Sequence, residues 1–98
     1  MKAKALFVPL KAEYFRAFED GSKTVEWRKL GRGFSERTLT IGRAVTLSNG
    51  YSGARLHGRI VKLEFRTAQF VSGATAIYPR GALLVGIHIK LARRPRPR

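Results

Sequence analysis

Arg55-Leu-His-Gly-Arg-Ile-Val-Lys-Leu-Glu-Phe-Arg66 is the stretch on which the fold turns. Its first half alternates at the period of two that marks a strand, with Leu56 and Ile60 on one face and Arg55, His57 and Arg59 on the other. Between Ile60 and Val61 the apolar phase slips, and Val61, Leu63 and Phe65 carry it on at odd positions. A strand whose apolar side chains change phase midway requires a bulge or a barrel corner.

The flanking sequence suits such a bent sheet. Upstream, residues 44–48 form a strand with Val45 and Leu47 inward, and Asn49-Gly50 followed by Ser52-Gly53 is a turn between it and the long strand. Downstream, residues 67–81 are irregular, and residues 82–91 close the domain with alternation at Leu83, Val85, Ile87, Ile89 and Leu91. Ala5-Leu-Phe-Val-Pro9 is a first strand, which Pro9 ends or places at an edge. Residues 11–20 read as a helix with Tyr14, Phe15 and Phe18 on one face, stopped by Gly21. Glu19 and Asp20 sit at the negative end of its dipole, so they are held there for another reason or belong to the turn. In residues 23–28, Val25 and Trp27 point one way and Thr24, Glu26 and Arg28 the other; Trp27 is assigned to the core and the polar pair to the opposite face. Residues 31–42 form a polar loop that includes a helical turn at Ser35-Glu-Arg-Thr38. About five strands with one principal helix predict an α+β fold, a small, partly closed β-barrel.

Ninety-eight residues form one domain, assigned to residues 1–91, with an Arg/Pro-rich tail at 92–98 expected to be disordered. No apolar run approaches the ~20 residues of a membrane span, and the N-terminal apolar stretch is shorter than a secretion signal requires. A cytoplasmic location is the expectation. Cysteine is absent, which removes disulfides, thiolate nucleophiles and Cys-based zinc sites. His57 and His88 lack metal-ligand spacing and read as structural, and no metal or cofactor is expected. Charge is the dominant compositional signal: 20 Lys and Arg against 6 acids, a net +14. Four of those arginines lie in the tail, so most of the excess belongs to the domain. Such a surface draws polyanions from solution.

Gly21-Ser-Lys-Thr-Val-Glu-Trp-Arg28 concentrates the chemistry. A guanidinium such as Arg28 can hold phosphate or a base edge in a two-pronged fork, and a carboxylate such as Glu26 can accept from an exocyclic amine or act as a base. The alternative is a surface ion pair between Glu26 and Arg28 that does little. Lys23 and Thr24 lie at the mouth of the same strand. Tyr51 and Tyr78 offer hydroxyls, although tyrosines near strand ends commonly pack the rim of a core.

The pattern G-x-K-T-x-E-x-R following a helix resembles the signature of the ASCH (activating-signal-cointegrator homology) domain, a branch of the PUA-like barrels. Phe7-Val-Pro-Leu-Lys-Ala-Glu-Tyr-Phe15 before it, and Ser35-Glu-Arg-Thr-Leu-Thr-Ile-Gly42, Gly50-Tyr51 and Leu56-His-Gly-Arg-Ile-Val61 after it, agree. The similarity is strongest over residues 6–61 and is to short, free-standing bacterial and phage versions. It implies a barrel with a cleft between its wall and the helix, lined by Lys23, Glu26 and Arg28, taking RNA or a nucleoside. One ASCH branch hydrolyses 4-acetylcytidine through Lys, Thr and Glu, and others are ribonucleases. Lys23 matches that branch's lysine; Glu26 stands where its threonine would, and no acid follows Glu64 to match its glutamate.

Three functions follow. The first is a nucleic-acid-binding module, for RNA above all, whose cleft recognises a base through Lys23, Thr24, Glu26, Arg28 and Tyr51. In it Arg32, Arg37, Arg43, Arg55, Arg59, Arg93 and Arg94 grip the phosphate backbone. The second is a small hydrolase of a modified nucleoside or of RNA, with Lys23 and Glu26 catalytic. The third is a regulator that binds an acidic protein. Net charge favours the first.

Overall fold

The computed structural model describes residues 4–31 and 33–92. Among them, five strands form one sheet: β1 (Leu6–Leu10), β2 (Val25–Lys29), β3 (Ala44–Asn49), β4 (Arg55–Thr67) and β5 (Leu83–Leu91), in the order β1-β3-β4-β5-β2. β1 runs parallel to β3, and the other pairings are antiparallel. The α-helix, α1 (Ala12–Asp20), connects β1 to β2. These two strands are opposite edges of the sheet, so α1 spans the open side of a half-barrel. Among the described residues, no helix is long and apolar enough to cross a membrane.

The phase slip in β4 is a bulge. Ile60 pairs with Ile89 and Lys62 with His88, which leaves Val61 as the extra residue. Before it Leu56 and Ile60 face inward, and after it Leu63 and Phe65 stand opposite Ile87 and Val85. One inserted residue bends a strand and increases its twist, which lets a thirteen-residue strand wrap a core this small.

The main core fills the concave side. Leu6, Val8 and Leu10 of β1, Val45 and Leu47 of β3, and Leu56 and Ile60 of β4 meet Val85, Ile87 and Ile89 of β5, with Phe15 and Phe18 of α1 and Leu39 as the lid. Burying each such side chain contributes about 1.5–3 kcal/mol. The helix stops at Gly21, whose φ of 87° suits glycine, and its N–H donates to the Phe18 carbonyl at 3.2 Å. Asp20 belongs to this turn: its Oδ1 accepts the Ser22 N–H at 2.8 Å. A hydrogen bond from the Ser22 side chain, together with that backbone bond, holds the Asp20 carboxyl below the usual range. The anticipated turn at residues 35–38 closes through Thr38 and Leu39 N–H bonds to the Ser35 carbonyl, and Leu39 drops into the core behind it.

A second, smaller cluster lies on the convex side of β5. Leu84 packs there with Ala68 and Ala74, which sit in two short 3-10 turns at Ala68–Phe70 and Ala74–Ala76. β5 is therefore buried on both faces from Leu84 to Ile87 rather than on one, and the expected inward Leu83 is exposed. Trp27 joins this outer cluster. It lies flat on Gly86, where a Cβ would come within 2.6 Å of the indole ring. The tail arginines Arg93 and Arg94, like Arg32, lie outside the described residues.

Candidate functional site

Register decides which way β2 faces. Glu26 stands opposite Ile87 and Arg28 opposite Val85, and directly paired residues project to the same side of a sheet. Since Ile87 and Val85 belong to the main core, Glu26 and Arg28 point toward the barrel interior, while Trp27 points outward onto Gly86. The alternation read from the sequence holds, but the sides are exchanged. The polar pair faces the main core and Trp27 the satellite cluster, because the 3-10 segment supplies an apolar cover for the outer face of this edge strand. Glu26 is consequently 8% exposed, one of the two most buried polar residues described.

A carboxylate this buried needs partners. Glu26 Oε2 accepts from Arg28 Nε at 2.7 Å, and Oε1 lies 3.6 Å from Lys23 Nζ. Arg28 Nη2 donates to the Pro9 carbonyl at 2.9 Å, and its guanidinium stacks 5.2 Å from the Phe34 ring centre. The Lys23 ammonium sits 5.4 Å from the ring centre of Tyr14 and 5.7 Å from that of Phe18, so α1 fixes it by cation–π contact. Residues from a helix, a glycine turn and an edge strand thus converge in one linked cluster.

That cluster forms the floor of a cleft of about 430 Å³, a size typical of small-ligand sites. Pro9, Lys11 and Tyr14 form one wall, and Trp27 with Ser72, Gly73 and Tyr78 of the segment after β4 the other. Cations, one carboxylate and three aromatic side chains face a common space. Such a lining can sandwich a planar ring, offer donors to carbonyl or phosphate oxygens, and accept from an amine. Among the described residues, no three acids and histidines are grouped as a metal ion would need.

The cleft brings together Lys23, Glu26 and Arg28 and leaves out the other two residues assigned to it. Thr24 is exposed and does not line the cleft. Tyr51 lies at the turn between β3 and β4, 78% exposed, with its ring 6.4 Å from that of Phe7. Of the outer arginines, Arg37 is exposed, and Arg59 is exposed with Nη1 donating to the Gly42 carbonyl at 3.2 Å. Arg55 sits over Phe7 at 5.0 Å. Arg43 acts as a clamp, donating to the carbonyls of Lys4 and Thr38 and so tying the start of β1 to the loop before β3. Sequence reasoning singled out Tyr78 for its hydroxyl but missed the rest of that wall, residues 71–74 and Ile77, and missed Tyr14 as a cleft residue, although its helical spacing beside Phe18 was visible. His88 Nε2 is bonded to Glu64 Oε1 at 2.5 Å, and His57 Nδ1 lies 3.4 Å from Thr46 Oγ1.

In comparison with known proteins, no family model matches the chain and no curated protein matches it.

Proposed function

We propose that the chain binds single-stranded nucleic acid, RNA foremost, and takes one base or nucleoside into the cleft. The observation that carries this reading is the convergence of Lys23, Glu26 and Arg28 on one cavity in a protein of net charge +14. Glu26 accepts from an exocyclic amine such as N4 of cytosine. Lys23 and Arg28 serve the carbonyl or phosphate oxygens, and the rings of Tyr14, Trp27 and Tyr78 flank the base. Arg37 and Arg59, with the arginines of the C-terminal tail, supply attraction to the phosphate backbone. An ASCH-like, PUA-like placement belongs to the same proposal. It is supported by a half-barrel whose helix α1 leads into the edge strand carrying Glu26 and Arg28, with the cleft between them.

The test removes one negative charge. Glu26→Gln keeps the shape of the side chain and raises the net charge, so on electrostatics alone it tightens binding of random RNA. Weaker binding of cytidine beside unchanged or tighter binding of random RNA is the expected result. Equal tightening for both ligands would reduce Glu26 to a packing charge and end the cleft assignment.

A second reading, hydrolysis of a modified nucleoside or of RNA, is favoured by one geometric fact. The carboxylate of Glu26 is held against the Lys23 ammonium inside the cleft, where it could orient a water molecule. Incubation with 4-acetylcytidine and with mixed RNA, followed by mass spectrometry of the products, separates the two. A deacetylated nucleoside or cut strand that disappears in Glu26→Gln makes the protein an enzyme; intact substrates beside measurable binding make it a binding module.

A further inference from the structure

The convex face of the sheet carries a second surface, apart from the cleft. Strand register sets Phe7, Thr46 and His57 in one row across β1, β3 and β4, and Pro9, Ser48 and Arg55 in the next, of which Ser48 is buried. Ala44, Arg59 and Lys90 form a third row across β3, β4 and β5. All three rows lie opposite the side occupied by Val45, Leu47, Leu56 and Ile60. Beside them, at the turn after β3, stands Tyr51, the most exposed large hydrophobic side chain described. The Phe7 and Tyr51 rings are 6.4 Å apart and tilted by 37°. The Arg55 guanidinium lies 5.0 Å from the Phe7 ring centre, held by bonds from Nη2 to the Tyr51 carbonyl at 3.1 Å and from Nε to the Gly53 carbonyl at 3.3 Å. Two open rings and a cation are thus fixed in one group before any ligand arrives.

Charge on these three rows is of one sign. Of the six acids, Glu13, Glu19 and Asp20 are on α1, Glu26 is in the cleft, and Glu36 is in the loop before β3. Glu64, which pairs with Gly86 and so lies on this same convex side, is beyond the bulge and bonded to His88. Arg55, Arg59 and Lys90 therefore share their rows with no carboxylate. A partner that offers both negative charge and flat π-faces fits such a surface, and an unpaired polynucleotide strand offers both. A duplex hides its base faces in its own stack, and an acidic peptide supplies charge without rings to stack.

We propose that Phe7, Tyr51 and Arg55 form a stacking platform for consecutive unpaired bases of a single-stranded polynucleotide, with Arg59 and Lys90 along its phosphates. This rests on the nucleic-acid reading above and adds a second site to it. The two sites adjoin through β1: Phe7 and Pro9 are two residues apart, about 7 Å along a strand, and Pro9 forms part of the cleft wall. A strand lying on the platform presents a neighbouring nucleotide to the cleft.

The experiment measures binding of a labelled oligouridylate dodecamer and of a duplex of equal length to the full chain and to Tyr51→Ala, Tyr51→Phe and Phe7→Leu. Thermal melts confirm that each variant is folded. The fluorescence of Trp27, the only tryptophan, reports cytidine entering the cleft. Tyr51→Ala should weaken the single strand by about 5- to 150-fold, the range that one stacked base contributes. Phe7→Leu should weaken it too, Tyr51→Phe should retain it, and duplex binding should not change. Undiminished oligouridylate binding by Tyr51→Ala and Phe7→Leu overturns the platform, as does tighter binding of polyglutamate than of oligouridylate. Tyr51-dependent strand binding without any cytidine response upholds the platform and removes the cleft reading. Failure of the unaltered protein to bind either probe removes both.

Discussion

Arg28 joins the two edges of the sheet: from β2 its Nη2 donates to the carbonyl of Pro9 on β1 at 2.9 Å. No ladder pairs these two strands, so the guanidinium stands where the hydrogen bonds of a closed barrel would be. Proline suits the edge position because its missing N–H breaks no ladder bond there, and its carbonyl remains available to the arginine. The same side chain carries a bond to Glu26, so the seam of the barrel and the floor of the cleft depend on one residue.

Arg28→Lys should therefore open the seam while preserving charge. A lysine cannot make the two-directional contact with Glu26 Oε2 and the Pro9 carbonyl. Bonds to charged groups contribute about 1.5–3 kcal/mol, so a loss of about 2 kcal/mol is expected. Urea denaturation measures it; an unchanged midpoint would show that the bridge is ornamental to stability.

Trp27 and Gly86 should behave as one unit. Gly86→Ala drives a methyl into the indole and should cost about 1–3 kcal/mol, and Trp27→Ala, by emptying the outer cluster, about 3 kcal/mol. In the Trp27→Ala background the added methyl meets open space, so Gly86→Ala should cost much less there. A double-mutant cycle reads this coupling directly, and simple additivity would contradict the packing described.

Glu64 gives the fold an acid-sensitive contact. The hydrogen bond from His88, aided by Arg66 and by the charge of Lys62, holds its carboxyl below the usual range against an opposing effect of burial. A folded-state value below the unfolded one means that the stabilisation is fully present above the unfolded value of about 4.5 and is lost as pH falls through the lowered folded value. The difference in melting temperature between the unaltered protein and Glu64→Gln should be constant above about pH 6 in this respect and shrink below about pH 4.5. A difference that persists undiminished to about pH 2 would exclude the linkage.

Affinity for single-stranded RNA should fall steeply with salt. If about six phosphates are contacted, log K should decline with a slope of about −4 against log salt. Deleting residues 93–98 should make that slope shallower and leave the ranking of sequences unchanged, since phosphate contacts position without specifying. A flat salt titration would remove the electrostatic basis of binding.

Local pattern was enough to locate the elements of the fold. The period of two marked the strands, the switch of parity at Ile60 and Val61 marked the bulge, and Gly21 marked the end of the helix, because each is set by neighbours in the chain. The cluster of Lys23, Glu26 and Arg28 was legible for the same reason, as three charged residues within six positions around a turn.

What the sequence by itself determined is therefore which residues share a face; what only the tertiary structure decided is which face is covered. Alternation in β2 separates Glu26 and Arg28 from Val25 and Trp27 whichever way the strand is turned. The choice falls to distant partners: β5, whose Ile87 and Val85 fix the side, and residues 68–78, which cover Trp27. Tyr51 left the cleft and Arg43 became a clamp by the same kind of decision. A side chain's nearest neighbours in sequence constrain its direction, but its role is set by surfaces that arrive from elsewhere when the sheet curls.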